Sequence, residues 1–339
     1  MDVQLGLFAD QPGAPALTSA VGPAPVPEHV AGLAARLPTG VRLGASSWSF
    51  PGWEGLVYDR RASQQLLARE GLAAYSAHPL LRTVGLDRTY YRPLDSGQLR
   101  AYADVVPDDF RFLVKADRLL TSPLDPEAVG VRARNPHFLD TAYAAEQVVG
   151  PAVDGMRDKL GVLLFQFPPI APNLVGGRSA FIERLYRFLS ALPGGPLYAV
   201  ELRTPSFLTE GYVRILEATG AAHCYNVHPS MAPLERQLAL IQPFYQPALV
   251  VRWMLHSSLQ YEAARERYQP FDRIVDEDVA SRERIATTVL DVLLAERPAF
   301  VIANNKAEGS APLTLHRLAE RICEWQPSPR ATSLRSASR

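Results

Sequence analysis

The sequence predicts an α/β barrel of the TIM type, with seven or eight parallel strands and disordered N- and C-terminal tails. Four short apolar runs point there first: LGVLLFQFPP (Leu160–Pro169), YAVELR (Tyr198–Arg203), LVVRWML (Leu249–Leu255) and FVIANNK (Phe300–Lys306), each ending in polar or charged groups. Near-continuous Val/Ile/Leu/Phe runs mark parallel strands covered by helices on both faces. Polar groups at their carboxyl ends are what a barrel needs to build one shared pocket. Strand and helix signals also alternate along the chain, and no Gly-rich phosphate loop follows the first strand. A closed barrel is therefore favoured over an open doubly wound sheet.

In chain order, strand 1 is predicted at Val41–Ser47, followed by a helix from about Ser63, a good N-cap residue, through Leu66, Leu67 and Leu72. Strand 2 covers Leu81–Thr89 and strand 3 covers Phe110–Ala116. A helix at Pro136–Gln147 precedes strand 4 at Gly161–Phe167. A stripe of Phe181, Leu185, Phe188 and Leu189 marks the helix before strand 5 at Tyr198–Leu202. Strands 6, 7 and 8 are expected at Ala222–Val227, Leu249–Leu255 and Phe300–Asn304, with a helix at Ser281–Glu296 between the last two. Residues 39–325 form the predicted barrel. Residues 1–38 read as a flexible Pro/Ala/Gly-rich segment with a short helix near Val30–Arg36, and 326–339 as a Ser/Arg/Pro-rich disordered tail.

Composition narrows the function classes. The 339 residues carry 35 basic and 35 acidic side chains, so no whole-protein field draws the chain to nucleic acid or anionic lipid. No apolar run approaches the roughly 18 residues of a membrane span, and the start, MDVQLGLFAD, has no basic and apolar leader pattern. Two distant cysteines, Cys224 and Cys323, suit a reducing compartment, and a cytoplasmic protein is expected. Only three residues, Lys115, Lys159 and Lys306, are lysine, so Arg is the default cation. A lysine at a strand end is therefore informative.

Several segments together resemble the YecE-like family, known as domain of unknown function 72, whose members form TIM-type barrels. The residues that carry the resemblance begin with Gly44, Trp48, Trp53 and Tyr58 in LGASSWSFPGWEGLVYD. They continue with Thr89 and Tyr91 in RTYYRP, Lys115 in FLVKA, and Gln166, Pro168 and Pro169 in LFQFPP. Glu201 and Arg203 in AVELR, Arg252 in VVRW, and Asn304, Asn305, Gly309, Ala311 and Pro312 in NNKAEGSAP complete the set. It spans about Val41 to Arg321. The resemblance implies a barrel; it implies no reaction, because the family has none established. Against the family pattern, acids and histidines are replaced at Gly85, Ser122, Met254 and Lys306.

Residues two apart on a strand share a face. Glu201 and Arg203 therefore point one way, as do Gly85, Asp87 and Thr89. A pocket at the barrel mouth would gather four cations, Lys115, Arg203, Arg252 and Lys306, against Glu201 and Asp87, with Gln166, Asn304 and Asn305 as neutral partners. Such a set suits a phosphate or carboxylate, since guanidinium groups bind oxyanions in a fork. The expected ligand is a small anionic molecule or a nucleic-acid end. For catalysis, including hydrolysis of a phosphorylated or nucleic-acid substrate, Glu201 is the candidate general acid/base and Lys115 the candidate electrostatic stabiliser or amine nucleophile. The plainer alternative is a buried polar layer whose charges compensate one another without a ligand. Trp48 and Tyr91, from an aromatic set after strands 1 and 2, are the candidate stacking contacts. Seven histidines form no HxH or HxxxH pattern, so neither metal nor cofactor is expected.

The N-terminal QLGLF, Gln4–Phe8, resembles the bacterial sliding-clamp-binding pentapeptide. Leu7 and Phe8 would fill an apolar pocket, with Gln4 anchoring by hydrogen bonds and Leu5 alongside. The Pro-rich linker would then tether the barrel near DNA as a non-catalytic accessory factor.

Overall fold

A computed structural model describes residues 21–128, 133–256 and 258–324. Residues 1–20 of the expected flexible segment 1–38, with Gln4, Leu5, Leu7 and Phe8 among them, and the whole expected tail 326–339 lie outside the described residues. Eight parallel strands close into a barrel in sequential order. They are β1 Val41–Ala45, β2 Leu81–Leu86, β3 Arg111–Lys115, β4 Leu160–Gln166, β5 Tyr198–Glu201, β6 Ala222–Val227, β7 Leu249–Trp253 and β8 Ala299–Ala303. The ring is sealed by β1 against β8, with Val41 beside Ala299 and Ala45 beside Ala303. The α/β barrel of seven or eight strands expected from sequence is the observed fold, with eight.

Alternation along the strands builds two cores. Val41, Leu43, Val84, Leu86, Phe165, Val200, Val251 and Val301 face outward under the helices, within the main hydrophobic cluster. Leu113, Val162, Leu164, Ala199, Ala222, Cys224, Val250, Phe300 and Ile302 form a second cluster that plugs the barrel. At Gly44, a Cβ would meet the Thr83 carbonyl oxygen at 1.8 Å, so only glycine allows β1 and β2 to approach this closely at their register shift.

Three differences from the sequence reading have local causes. The segment from Val21 to Leu37, expected as part of the linker, packs onto the barrel through helix Glu28–Arg36 with Val30, Leu33 and Ala34 buried. The short helix itself is expected near Val30–Arg36; its docking through a buried apolar stripe is not. Strand β2 stops at Leu86, and Thr89 lies in the short helix Arg88–Tyr91. There its hydroxyl reaches the carbonyl oxygens of Leu86 and Lys115 at 2.8 and 2.6 Å, tying the ends of β2 and β3 together. The helix expected at Pro136–Gln147 begins at Thr141, where Asp140 caps it by accepting from the Ala142 and Tyr143 N–H groups. It runs through a π-helical stretch, Ala144–Val149, just before Pro151, which offers no N–H to a tighter turn, and ends at Met156.

Candidate functional site

The inward phase of the strands dictates what stands at the mouth. Two residues beyond the plug, Leu113 leads to Lys115, Leu164 to Gln166, Ala199 to Glu201, Cys224 to Asn226, Val250 to Arg252 and Ile302 to Asn304. Asp87 and Ser46 follow β2 and β1 directly. Every strand thus delivers one polar side chain to a single ring, above which a cavity of about 690 Å³ opens. That is the size of a small-molecule site.

The floor of this cavity is an alternating charge ladder. Glu201 is fully buried, and its two oxygens are taken by separate guanidinium groups: Oε1 by Arg203 Nε at 2.6 Å, and Oε2 by Arg252 Nη1 at 2.5 Å. Arg252 Nη1 also donates to Gln166 Oε1 at 2.7 Å. Asp87 Oδ1 lies 3.7 Å from Arg252 Nη2 and 3.8 Å from Lys115 Nζ, with no hydrogen-bond partner among the described residues. The lysine tip rests 3.8 Å from the centre of the Tyr90 ring, a cation–π contact. Three floor cations, Lys115, Arg203 and Arg252, therefore share two carboxylates, which leaves a net positive floor.

Ionisation follows from this arrangement. Burial would raise the Glu201 carboxyl, but Arg203 and Arg252 overcome it and bring the group down to about 2. Burial lowers the Lys115 amine to about 8; Asp87 opposes that fall, and the nearby Arg252 deepens it. His228, just beyond β6, is brought down to about 4 by burial and then by Arg203, so its ring is neutral near pH 7. Its Nδ1 accepts from the Ser230 N–H at 3.1 Å, which leaves the proton on Nε2.

Two loops form the rim. The segment after β7 carries helix Tyr261–Tyr268 and closes on the loop after β1 through a small apolar cluster of Leu255, Ala264, Tyr268 and Phe271 with Phe50. A Cβ at Gly52 would meet the Pro270 carbonyl oxygen at 1.8 Å, so a bare glycine backbone seals this contact. On the rim Arg61, Arg265 and Lys306 face Glu54, Glu262 and Asp272, a balanced set. The excess positive charge is on the floor.

The cavity brings together Lys115, Arg203, Arg252, Asp87, Tyr91, Gln166 and Asn304 from the expected set. Lys306 stands at the rim, with Nζ 4.2 Å from the centre of the Tyr261 ring, so the expected four-to-two cation excess becomes three to two on the floor. Asn304 bridges, donating to Ser46 Oγ at 2.8 Å and accepting from the Lys306 N–H at 3.0 Å. Asn305 does not line the cavity: it is 1% exposed, and its Oδ1 accepts from Trp53 Nε1 and the Ala311 N–H, which fixes the turn after β8. Trp48 is likewise structural, its indole donating to the Leu67 carbonyl at 3.0 Å and its ring packing on Tyr102. It faces a side cavity of about 50 Å³ that also touches Gly85 and Tyr91. Glu201 lies beneath the floor with both oxygens occupied, so it sets the positions of Arg203 and Arg252. Sequence reasoning missed Asn226, whose signal was its phase with Cys224, and gave no role to His228, which stands one residue past β6. It also missed the rim built by Phe50 and helix Tyr261–Tyr268. Among the described residues, no group of three or more His, Cys, Asp or Glu is placed to hold a metal ion, and no helix is long and apolar enough to cross a membrane.

Fold and site together define an α/β-barrel protein with a charged polar ring and cavity at the carboxyl ends of its strands. The chain belongs to the family described as protein of unknown function DUF72, whose model matches residues 42–335. Solved structures of the family share the fold. One, from Enterococcus faecalis V583, is 19% identical with a TM-score of 0.55, over 83% of this chain and 95% of that one. Another, from Thermotoga maritima MSB8, is 20% identical with a TM-score of 0.53, over 83% of this chain and 98% of that one. No curated protein matches the chain.

Proposed function

We propose that the cavity binds a small molecule through a phosphate or carboxylate group at its positive floor. The observation that carries this reading is the convergence of Lys115 at the end of β3, Arg203 just beyond β5 and Arg252 on β7 on only two carboxylates. The uncompensated charge is largely buried, where an oxyanion gains more from it than in water. Gln166, Asn304 and neutral His228 Nε2–H supply donors around the same space. A hydrolytic role is the weaker form of this reading, because Glu201 is committed to two guanidinium groups. The test is thermal shift and calorimetry with orthophosphate and with a small carboxylate. Protection of the wild type, weakened at least about tenfold in Arg203→Ala, is expected; equal protection of both proteins overturns the reading.

A second reading rests on the pentapeptide Gln4–Phe8. The chain enters the described structure at the carboxyl rim, where Gly22 N–H donates to Asp59 Oδ1 at 3.1 Å and Ala24 N–H to the Val57 carbonyl at 2.9 Å. A sliding-clamp tether attached there would hold the cavity side of the barrel towards DNA. Leu7→Ala with Phe8→Ala should abolish clamp pull-down without changing the melting temperature. Retained pull-down rejects the tether.

A further inference from the structure

We propose that Lys115 is a nucleophile that forms a covalent imine with an aldehyde or ketone carbon of the bound anionic molecule. This inference rests on the anion-binding reading of the same cavity and names its substrate class: a small carbonyl compound that also carries a phosphate or carboxylate.

The three lysines of the chain occupy different environments. Lys159 is a structural tether, its Nζ donating to the carbonyl oxygens of Ala103 and Val106 at 2.9 and 2.7 Å. Lys306 stands at the rim over Tyr261. Lys115 alone of the three stands on the cavity floor, only 5% exposed, at the end of β3. Burial disfavours its charged form and outweighs the opposing pull of Asp87 and Glu201, with Arg252 and Arg203 adding to the fall; a desolvated lysine beside other cations is the setting that converts an ammonium into an amine nucleophile. With the amine brought down to about 8, roughly a quarter of it is uncharged at pH 7.5, against about one part in a thousand for an ordinary lysine.

Asp87 supplies the proton traffic. Its Oδ1 lies 3.8 Å from Lys115 Nζ and has no hydrogen-bond partner among the described residues. A small movement of the lysine tip would bring the two into contact, as often happens when a ligand tightens a loose resting geometry. Asp87 accepts a proton from the ammonium. The freed nitrogen lone pair attacks the carbonyl carbon, and the C=O π pair moves to oxygen. The oxygen takes a proton from the new C–N bond's nitrogen to give a carbinolamine. Asp87 then returns its proton to that hydroxyl, which leaves as water while the nitrogen lone pair forms the C=N bond. Ammonium and carbonyl have become iminium and water, with no change in total charge and no external oxidant or reductant.

The test is reductive trapping. Full-length protein is incubated with glycolaldehyde phosphate and cyanoborohydride and mapped by peptide mass spectrometry, with an orthophosphate thermal shift run in parallel. The expected result is one reduced adduct confined to Lys115, forming with an apparent midpoint near pH 8. It should be suppressed by excess orthophosphate and lost from that peptide in Lys115→Arg. An adduct that is absent, or spread evenly over Lys115, Lys159 and Lys306, overturns the inference. If orthophosphate still protects the wild type in that case, the anion-binding reading stands and only the covalent step is lost. If it does not, both readings fall.

Discussion

Lys115 and Arg252, carried by β3 and β7 on opposite sides of the barrel, converge on the same atom: Lys115 Nζ is 3.8 Å and Arg252 Nη2 is 3.7 Å from Asp87 Oδ1. Neither distance is a hydrogen bond. Asp87 is thus held by charge between two cations, in a place where a ligand oxyanion or a bridging water would also be attracted.

Asp87→Asn is accordingly expected to strengthen anion binding. The floor then carries three cations and one carboxylate. Each pair at this separation is worth about 4 kcal/mol at an effective dielectric of 20. Because the Asp87 side chain is 23% exposed, solvent screening leaves a net loss of stability of roughly 1–2 kcal/mol. Orthophosphate affinity should rise about three- to tenfold at low salt, and the gain should shrink as ionic strength increases. Calorimetry at two salt concentrations reads both effects; weaker binding at low salt would contradict the charge ladder.

Glu201→Gln should have the opposite character. Its carboxylate compensates two guanidinium groups at once, and Arg252 is only 2% exposed. Removing one partner of a buried ionic cluster destabilises by about 3–5 kcal/mol, and urea unfolding would measure it. The pH dependence has a definite sign. The folded group lies near 2, below its ordinary value of 4.5, so the folded state binds fewer protons than the unfolded state between those values. Its stabilisation is therefore complete above about pH 4.5 and is lost as pH falls towards 2. The glutamine variant should lack that component of acid unfolding.

Lys115 works the other way. Its folded amine is near 8 against 10.5 in the ordinary state, so the unfolded chain holds the extra proton between those values. Burial of the ammonium opposes folding fully below about pH 8, and the penalty fades as pH rises to 10.5. Lys115→Met should therefore lose anion binding yet gain stability relative to wild type at pH 7, by about 3 kcal/mol at most. That advantage should shrink towards pH 10. Melting temperatures of both proteins across this range check the slope, and a gap that widens with pH would be inconsistent with a desolvated lysine.

How much of this was legible depends on what each residue responds to. The strand cores were readable because burial on both faces demands apolar runs, and β6 at Ala222–Val227 matches its expected bounds. The inward phase then placed Lys115, Gln166, Glu201 and Arg252 around one mouth. Asn226 escaped because AHCYNV has few large aliphatics, so its inward phase carried little weight. Trp48 and Asn305 were read as ligand contacts because family-like motifs retain structural hydrogen bonds as well as sites; nothing local distinguishes an indole that faces a ligand from one that donates to Leu67. The rim was invisible for a further reason: the contact of Gly52 with Pro270 joins loops that lie more than two hundred residues apart.

That contact supports a last prediction. In Gly52→Ala the new methyl carbon would sit 1.8 Å from the Pro270 carbonyl oxygen, so the loop after β1 and the segment after β7 must separate. The apolar cluster joining Phe50 to Leu255, Tyr268 and Phe271 is small and apart from the main core, so it will open before the barrel strains. Hydrogen exchange should accelerate in helix Tyr261–Tyr268 and at Phe50, with the strands unchanged. Overall stability should fall by roughly 1–3 kcal/mol, and orthophosphate binding should weaken several-fold as water enters over the floor. Gly32→Ala is the matched control: it lies inside helix Glu28–Arg36 with nothing within 4 Å of the added carbon. It should stabilise by about 0.5–1 kcal/mol and leave anion binding untouched. Unchanged exchange in Gly52→Ala would mean that the two loops do not depend on each other to close the cavity.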